Sequence, residues 1–191
     1  MNAGLILAAG ESRRMGSPKA LLPYQGESFL DRLVGLFAAR LNSVIVVLGA
    51  GAEEIRSHAA RAATFVVNAD YRTGQTSSLQ CGLRALPPDA GGVLFTLVDH
   101  PAVAPATLDA LLAGAPGALV RVPRYQGRRG HPVWLSREIV PEFLALEPAA
   151  AARDVVRAHA AETRFLDLDD PGITADIDDP AAYRSLLEAA R

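Results

Sequence analysis

Residues 10 to 19 read Gly10-Glu11-Ser12-Arg13-Arg14-Met15-Gly16-Ser17-Pro18-Lys19 and follow directly on the apolar run Gly4 to Ala9. Glycines, arginines and a lysine packed this closely suit one kind of chemistry, the binding of a phosphorylated anion. Gly10 and Gly16 open backbone conformations that let successive N–H groups form a concave anion nest. The arginines supply forked donors for phosphate oxygens, and Lys19 supplies a point charge. The spacing matches neither common phosphate loop. A Walker loop carries lysine immediately after its second glycine, whereas Lys19 stands three residues beyond Gly16, and no G-x-G-x-x-G is present. The competing reading is a solvated surface loop.

A bound nucleoside triphosphate calls for a divalent cation, so carboxylates are sought near the same strand ends. Asp99 ends the apolar run Gly92 to Val98 and is followed by His100-Pro101, which makes it a candidate metal ligand or a turn cap. Asp176 and Asp178 alternate along an extended segment and therefore face opposite ways, so they do not share one ion. They read equally as acidic charge before a closing helix, a role that Asp179, just ahead of Pro180, suits best. His58 and His159 lie in helical stretches with no chemical partner in sequence. A lone histidine beside a turn, such as His131, is ordinarily a surface residue. Cys81 has no activating neighbour, and Trp134, in an alternating strand, reads as core.

These residues need a frame to hold them. The runs 4–9, 43–48, 64–67 and 92–98 are apolar on both faces, as strands buried between two helical layers are, and the amphipathic stretches 28–40, 52–63, 75–86 and 105–113 fall between and after them. That alternation predicts an α/β fold with a mainly parallel sheet, whose ligands bind beyond the carboxyl ends of the strands. After Gly114 the rhythm changes to a basic β-hairpin insertion, then helices at 136–146 and 151–161, a strand at 162–168 and a last helix at 180–190. The alanine-rich stretch 148–161 keeps an apolar side through Val155 and Val156.

With 191 residues and 50% hydrophobic composition, one domain spanning 1–191 is expected. A net charge of −2 offers no attraction to nucleic acid or membrane. No apolar run approaches the ~20 residues of a membrane span. The N-terminal apolar stretch has its arginines after it, the reverse of a secretory signal. The single cysteine excludes an intrachain disulfide framework, and a cytoplasmic location is expected.

The run Leu7-Ala8-Ala9-Gly10-Glu11-Ser12-Arg13-Arg14-Met15-Gly16-Ser17-Pro18-Lys19 resembles L-A-A-G-x-S-x-R-M-G-x-x-K, the signature of the MobA-like nucleotidyltransferases. The resemblance continues in order along the chain. Gly74 to Leu83 is similar to the family's G-x-x-x-S-[IL]-x-x-G-[IL]. Asp99-His100-Pro101 falls on its D-x-P. Arg129-Gly130-His131-Pro132-Val133 resembles the R-G-H-P-V of its molybdenum cofactor cytidylyltransferase branch. Asp176 to Pro180 resembles D-[IV]-D-T-P, with Asp179 for the usual threonine and Ala182 for a usual aspartate.

What the resemblance implies is a Rossmann-like three-layer α/β/α fold of the nucleotide-diphospho-sugar transferase kind and Mg²⁺-dependent transfer of CMP from CTP to the terminal phosphate of molybdopterin cofactor, releasing pyrophosphate. The nucleotide would lie on Ala8, Ala9, Gly10, Arg14, Gly16, Lys19, Ser78 and Gly82, and the acceptor on Arg129 and His131. The metal would bind Asp99 with Asp176 or Asp178, and Arg14, Lys19 and Asp99 would be catalytic. Arg13 falls on a variable position. Ala9 points to CTP, because the guanylyltransferase branch has L-A-G-G where this chain has L-A-A-G. The resemblance leaves open GTP, another phosphorylated acceptor, transfer of the product to a molybdoenzyme, or a non-catalytic cofactor carrier. A Rossmann-type oxidoreductase is disfavoured by the missing dinucleotide fingerprint.

Overall fold

Strand β1 (Asn2–Ala8) carries apolar side chains on both faces, so it requires a cover above and below, and the computed structural model shows both. The structure describes residues 1–147 and 150–190; of the alanine-rich stretch, residues 148 and 149 lie outside the described residues, as does 191. After β1 come the two-residue strands β2 (Pro23–Tyr24) and β3 (Glu27–Ser28), helix α1 (Phe29–Ala38), β4 (Ser43–Leu48), α2 (Ala52–His58), β5 (Thr64–Val67), α3 (Gln75–Arg84), β6 (Gly92–Leu97) and α4 (Pro105–Ala113). The second half holds β7 (Val120–Tyr125), β8 (Arg128–Arg129), β9 (Val133–Ser136), α5 (Val140–Ala145), α6 (Ala152–Ala158), β10 (Thr163–Asp167) and α7 (Pro180–Ala189).

The main sheet runs β10-β7-β9-β6-β1-β4-β5, with β8 paired to β7. Strands β5, β4, β1 and β6 are mutually parallel, β10 is parallel to β7, and β9 runs antiparallel to both its neighbours. Alternation along the strands divides the core. Ile6, Ala8, Val46 and Leu48 pack with Phe29, Leu33 and Phe37 of α1, Ile55 of α2, Leu108 of α4 and Leu186 of α7. Leu5, Leu7, Ile45 and Val47 pack on the other face with Leu79 and Leu83 of α3, Phe143 of α5 and Val155 of α6. The fold is thus the expected Rossmann-like three-layer α/β/α arrangement.

Several boundaries move for local reasons. The first strand stops at Ala8, which leaves Ala9 in the loop. The β2–β3 hairpin was not anticipated; Gln25 and Gly26 both adopt positive φ, as a tight two-residue turn requires. Helix α2 ends at His58, short of the expected 63, because the buried Asp31 carboxylate accepts hydrogen bonds from the Ala60 and Arg61 amides at 2.9 and 3.0 Å. The basic hairpin is β7–β8, turning at Gln126-Gly127. Its second limb breaks at Pro132, which has no N–H to donate, and resumes as β9 inside the main sheet.

Gly82 decides how closely α3 lies on the sheet. A Cβ there would stand 2.3 Å from Leu5 Cδ1 and 2.8 Å from Val47 Cγ2, so any side chain would lift the helix off β1 and β4. Gly82→Ala is therefore expected to destabilise the protein by about 1–3 kcal/mol, the usual cost of overpacking a filled core. Urea unfolding measures this, and unchanged stability would contradict the packing described.

Candidate active site

The carboxyl ends of β1 and β6 open on a cavity of about 580 Å³. One wall is the loop after β1, from Ala8 to Arg14, with Pro18 and Lys19; the facing wall is Tyr71, Arg72, Gly74, Gln75 and Ser78, and Asp99 and Asp178 also line it. Of the residues singled out in sequence, Ala8, Ala9, Gly10, Arg14, Lys19, Ser78, Asp99 and Asp178 come together here.

The loop is shaped by its own hydrogen bonds. Ser12, at φ 50°, accepts the Met15 amide on its carbonyl and the Lys19 amide on its hydroxyl, at 2.9 and 3.0 Å. Lys19 then opens a short 3₁₀ turn, Lys19–Leu21, that buries Ala20. Its ammonium donates to Asp178 Oδ1 at 2.5 Å and to Asp99 Oδ2 at 3.4 Å. Arg14 pairs with the second Asp178 oxygen at 2.9 Å. The Lys19 hydrogen bond, helped by Arg14 and opposed by partial burial, holds the Asp178 carboxyl below the usual carboxylate range.

The segment carrying Asp178 is seated by Ile177, which is buried and donates its amide to the Asp99 carbonyl at 2.9 Å. That anchor sets Asp178 at the cavity wall and leaves Asp176 exposed and outside the lining. Asp99 Oδ1 is buried with no hydrogen-bond partner, so the site retains one carboxylate oxygen free for a cation. Among the described residues no three His, Cys, Asp or Glu side chains cluster for a metal. Two carboxylates suit an ion such as Mg²⁺, which keeps several waters and takes its remaining ligands from substrate phosphates.

The facing wall was only partly legible. Glu11 is ion-paired with Arg13 and with Arg72, the latter at 3.0 Å, and so ties the phosphate loop across the mouth of the cavity. Arg13, which the motif marks as variable, is a member of this cluster. The Glu11 carboxyl is held low, first by Arg13 and then by Arg72.

Besides Asp176, four expected residues lie elsewhere. Gly16 adopts φ +72° in open space and does not line the cavity; its role is to turn the loop. Gly82, one turn after Ser78, faces the sheet against Leu5 and Val47 and does not line the cavity. Arg129 is exposed on β8, with its guanidinium 4.6 Å over the Phe165 ring. His131 points the other way, edge-on to Phe95 and with its ring centre 5.0 Å from that of His100. Arg129 and His131 are therefore not brought together. His131 is instead linked toward the carboxylates through His100, whose Nε2 lies 3.7 Å from Asp99 Oδ1. Sequence reading passed over His100 because a histidine beside a strand-end aspartate carries no signal of its burial.

The MobA-like NTP transferase domain family matches residues 4–163. Nicotine blue oxidoreductase of Paenarthrobacter nicotinovorans is 30% identical over 186 residues, covering 92% of this chain and 91% of that protein. A "Probable molybdenum cofactor guanylyltransferase" of Mycobacterium avium is 29% identical over 194 residues, covering 98% and 95%. The crystal structure of Rv0371c from Mycobacterium tuberculosis H37Rv superposes with a TM-score of 0.85 at 34% identity, covering 98% of this chain and 97% of that one. The structure of Rv0371c in complex with manganese gives 0.81 at 32% identity, covering 98% of each.

Burial, reinforced by His100, pushes His131 down to about 3 from 6.5. A depressed histidine is neutral in the folded chain and protonated in the unfolded chain below pH 6.5, so its share of stability is intact above that value and lost as pH falls toward 3. His100 is shifted the same way by burial. The unfolding temperature is expected to drop between pH 7 and pH 5, and to drop less in His131→Phe; an identical drop would contradict the burial of a neutral ring.

Proposed function

The chain belongs to the MobA-like NTP transferase family and is a nucleotidyltransferase; from that premise we propose that it transfers CMP from CTP to the terminal phosphate of molybdopterin cofactor, with release of pyrophosphate. The observation that carries the reading is the placement of Lys19 between Asp99 and Asp178 at the cavity wall, beside a glycine-containing loop that lines the same space together with Arg14.

In this reading the triphosphate lies along the loop from Ala9 to Arg14 and draws the Lys19 and Arg14 cations from the carboxylates onto its oxygens. An oxygen of the acceptor phosphate attacks the α-phosphorus in line. The new P–O bond forms as the bond to the β-phosphate bridge breaks, and the charge that builds on the departing pyrophosphate is met by Lys19, Arg14 and the loop N–H groups. No covalent enzyme intermediate is required, so catalysis is positioning and charge neutralisation. Asp99 and Asp178 are the residues that would hold Mg²⁺, which when bound supplies divalent charge against the triphosphate. The manganese complex of Rv0371c supports a divalent ion here. The product would pass to a molybdoenzyme in the cytoplasm, a setting that suits the unpaired Cys81.

Ala9 supports CTP, since guanylyltransferases of the family carry glycine at that position. The Mycobacterium avium relative, named for guanylyl transfer, keeps GTP as the second reading. The Paenarthrobacter relative is named for a redox reaction, which makes oxidation of NAD(P)H the control.

Pyrophosphate release is expected with CTP and molybdopterin cofactor, and more slowly with GTP. A preference for GTP would reassign the nucleotide, cofactor binding without pyrophosphate would indicate a carrier, and NAD(P)H oxidation without pyrophosphate would overturn the transferase chemistry. Lys19→Ala and Asp99→Asn are each expected to cut turnover by about a hundredfold or more while remaining folded by circular dichroism. Near-normal rates in either would sink the assignment of the site.

A further inference from the structure

We infer that Asn68 is a positioning residue that occupies the Ser78 oxygen as an acceptor and leaves the Ser78 hydroxyl proton to the cavity, so that Ser78 selects an acceptor atom on the nucleoside. The inference rests on the cavity being the nucleotide site.

Asn68 follows β5 and is 7% exposed. Its own amide N–H donates to the Leu48 carbonyl at 2.8 Å, which pins its backbone to β4. Its side-chain oxygen accepts the Asp70 N–H at 3.0 Å. A backbone N–H can only donate, so this contact identifies which end of the Asn68 amide is oxygen. The NH₂ end is thereby directed at α3, where it donates one hydrogen to Ser77 Oγ at 2.9 Å and one to Ser78 Oγ at 3.0 Å. Both hydroxyls are thus acceptors toward Asn68, and each must send its own proton elsewhere.

Ser77 sends its proton to the Gly74 carbonyl at 2.7 Å. Ser78 differs. It is 4% exposed and lines the cavity, and among the described residues no acceptor receives its proton. A buried hydroxyl proton left unpaired is unfavourable, and a ligand acceptor in the cavity satisfies it. Cytosine O2 and N3 or a ribose oxygen are acceptors of that kind. An amine or ring N–H in the same place would meet the Ser78 proton head-on. Aspartate at position 68 would reverse the arrangement, because a carboxylate only accepts; both serines would then donate to it, and Ser78 would face the cavity as an acceptor.

The test is a double-variant cycle on nucleotide binding and turnover, using CTP and GTP in parallel with Mg²⁺. Ser78→Ala is expected to weaken nucleotide binding by about two- to tenfold, the worth of one net hydrogen bond. Asn68→Asp is expected to raise KM at least as much, with a smaller effect on kcat, and the double variant to be no worse than the more impaired single one. If Asn68→Asp does not fold, Asn68→Ala removes the lock without adding charge, and its KM effect is likewise expected to vanish in the Ser78→Ala background. A merely structural Asn68 would lower kcat and thermal stability together and act additively with Ser78→Ala, and that result overturns the inference. A wild-type chain that binds neither nucleotide overturns the nucleotide site and this inference with it; binding with additive variants overturns the inference alone.

Discussion

One charged contact organises the site: the Lys19 ammonium shared by Asp99 and Asp178. The three residues come from distant parts of the chain, with Lys19 separated from Asp99 by 80 positions and from Asp178 by 159. Lys19 and Asp99 are mostly shielded from water, with side chains 13% and 18% exposed, so neither is tolerated there without an opposite charge nearby. The pairing draws the loop after β1, the end of β6 and the segment before α7 to one point. It also keeps the cavity close to neutral until a ligand brings its own charge.

The rest of the fold serves that convergence. Parallel β1 and β6 end side by side, which sets the phosphate loop beside Asp99 without any long connection. Ile177 fastens the late segment to the Asp99 carbonyl, and the 3₁₀ turn Pro171–Thr174 that leads into it packs so tightly on Gly130 that a Cβ there would lie 2.1 Å from the Ile173 carbonyl oxygen. On the far wall, the bare edge of Gly82 lets α3 settle on the sheet, and Asn68 then fixes the hydroxyls at the start of that helix. Glu11 spans the mouth between Arg13 and Arg72. A phosphorylated ligand entering there would compete with carboxylates for the same cations at both ends of the loop, so its binding would be an exchange of anionic partners and not the filling of an empty charged pocket.

Much of this was legible along the chain. The apolar run at 43–48 is a strand covered on both faces, as residues apolar on both faces allow, whereas the run at 64–67 is the strand at the sheet edge and none of its residues is fully buried. The glycine, arginine and lysine types of the loop pointed to an anion site, since such residues combine open backbone with fixed positive charge, and the loop does line the cavity. Alternation alone separated the directions of Asp176 and Asp178. Helix ends were less legible: α2 stops where Asp31, far earlier in sequence, captures the next two amides.

What residue types and local spacing determine is therefore the order of elements and the chemical character of the loop, since both follow from side-chain chemistry and short-range geometry. Tertiary structure alone decided which charges meet. Asp178 was set at the cavity wall and Asp176 outside it by the seat of Ile177, Gly82 was placed in helix packing against Leu5, and Arg129 was parted from His131 by the neighbours each found on different strands. Side chains act at a few ångströms, and which ones come that close is settled by how separate elements pack, a quantity that no local stretch of sequence contains.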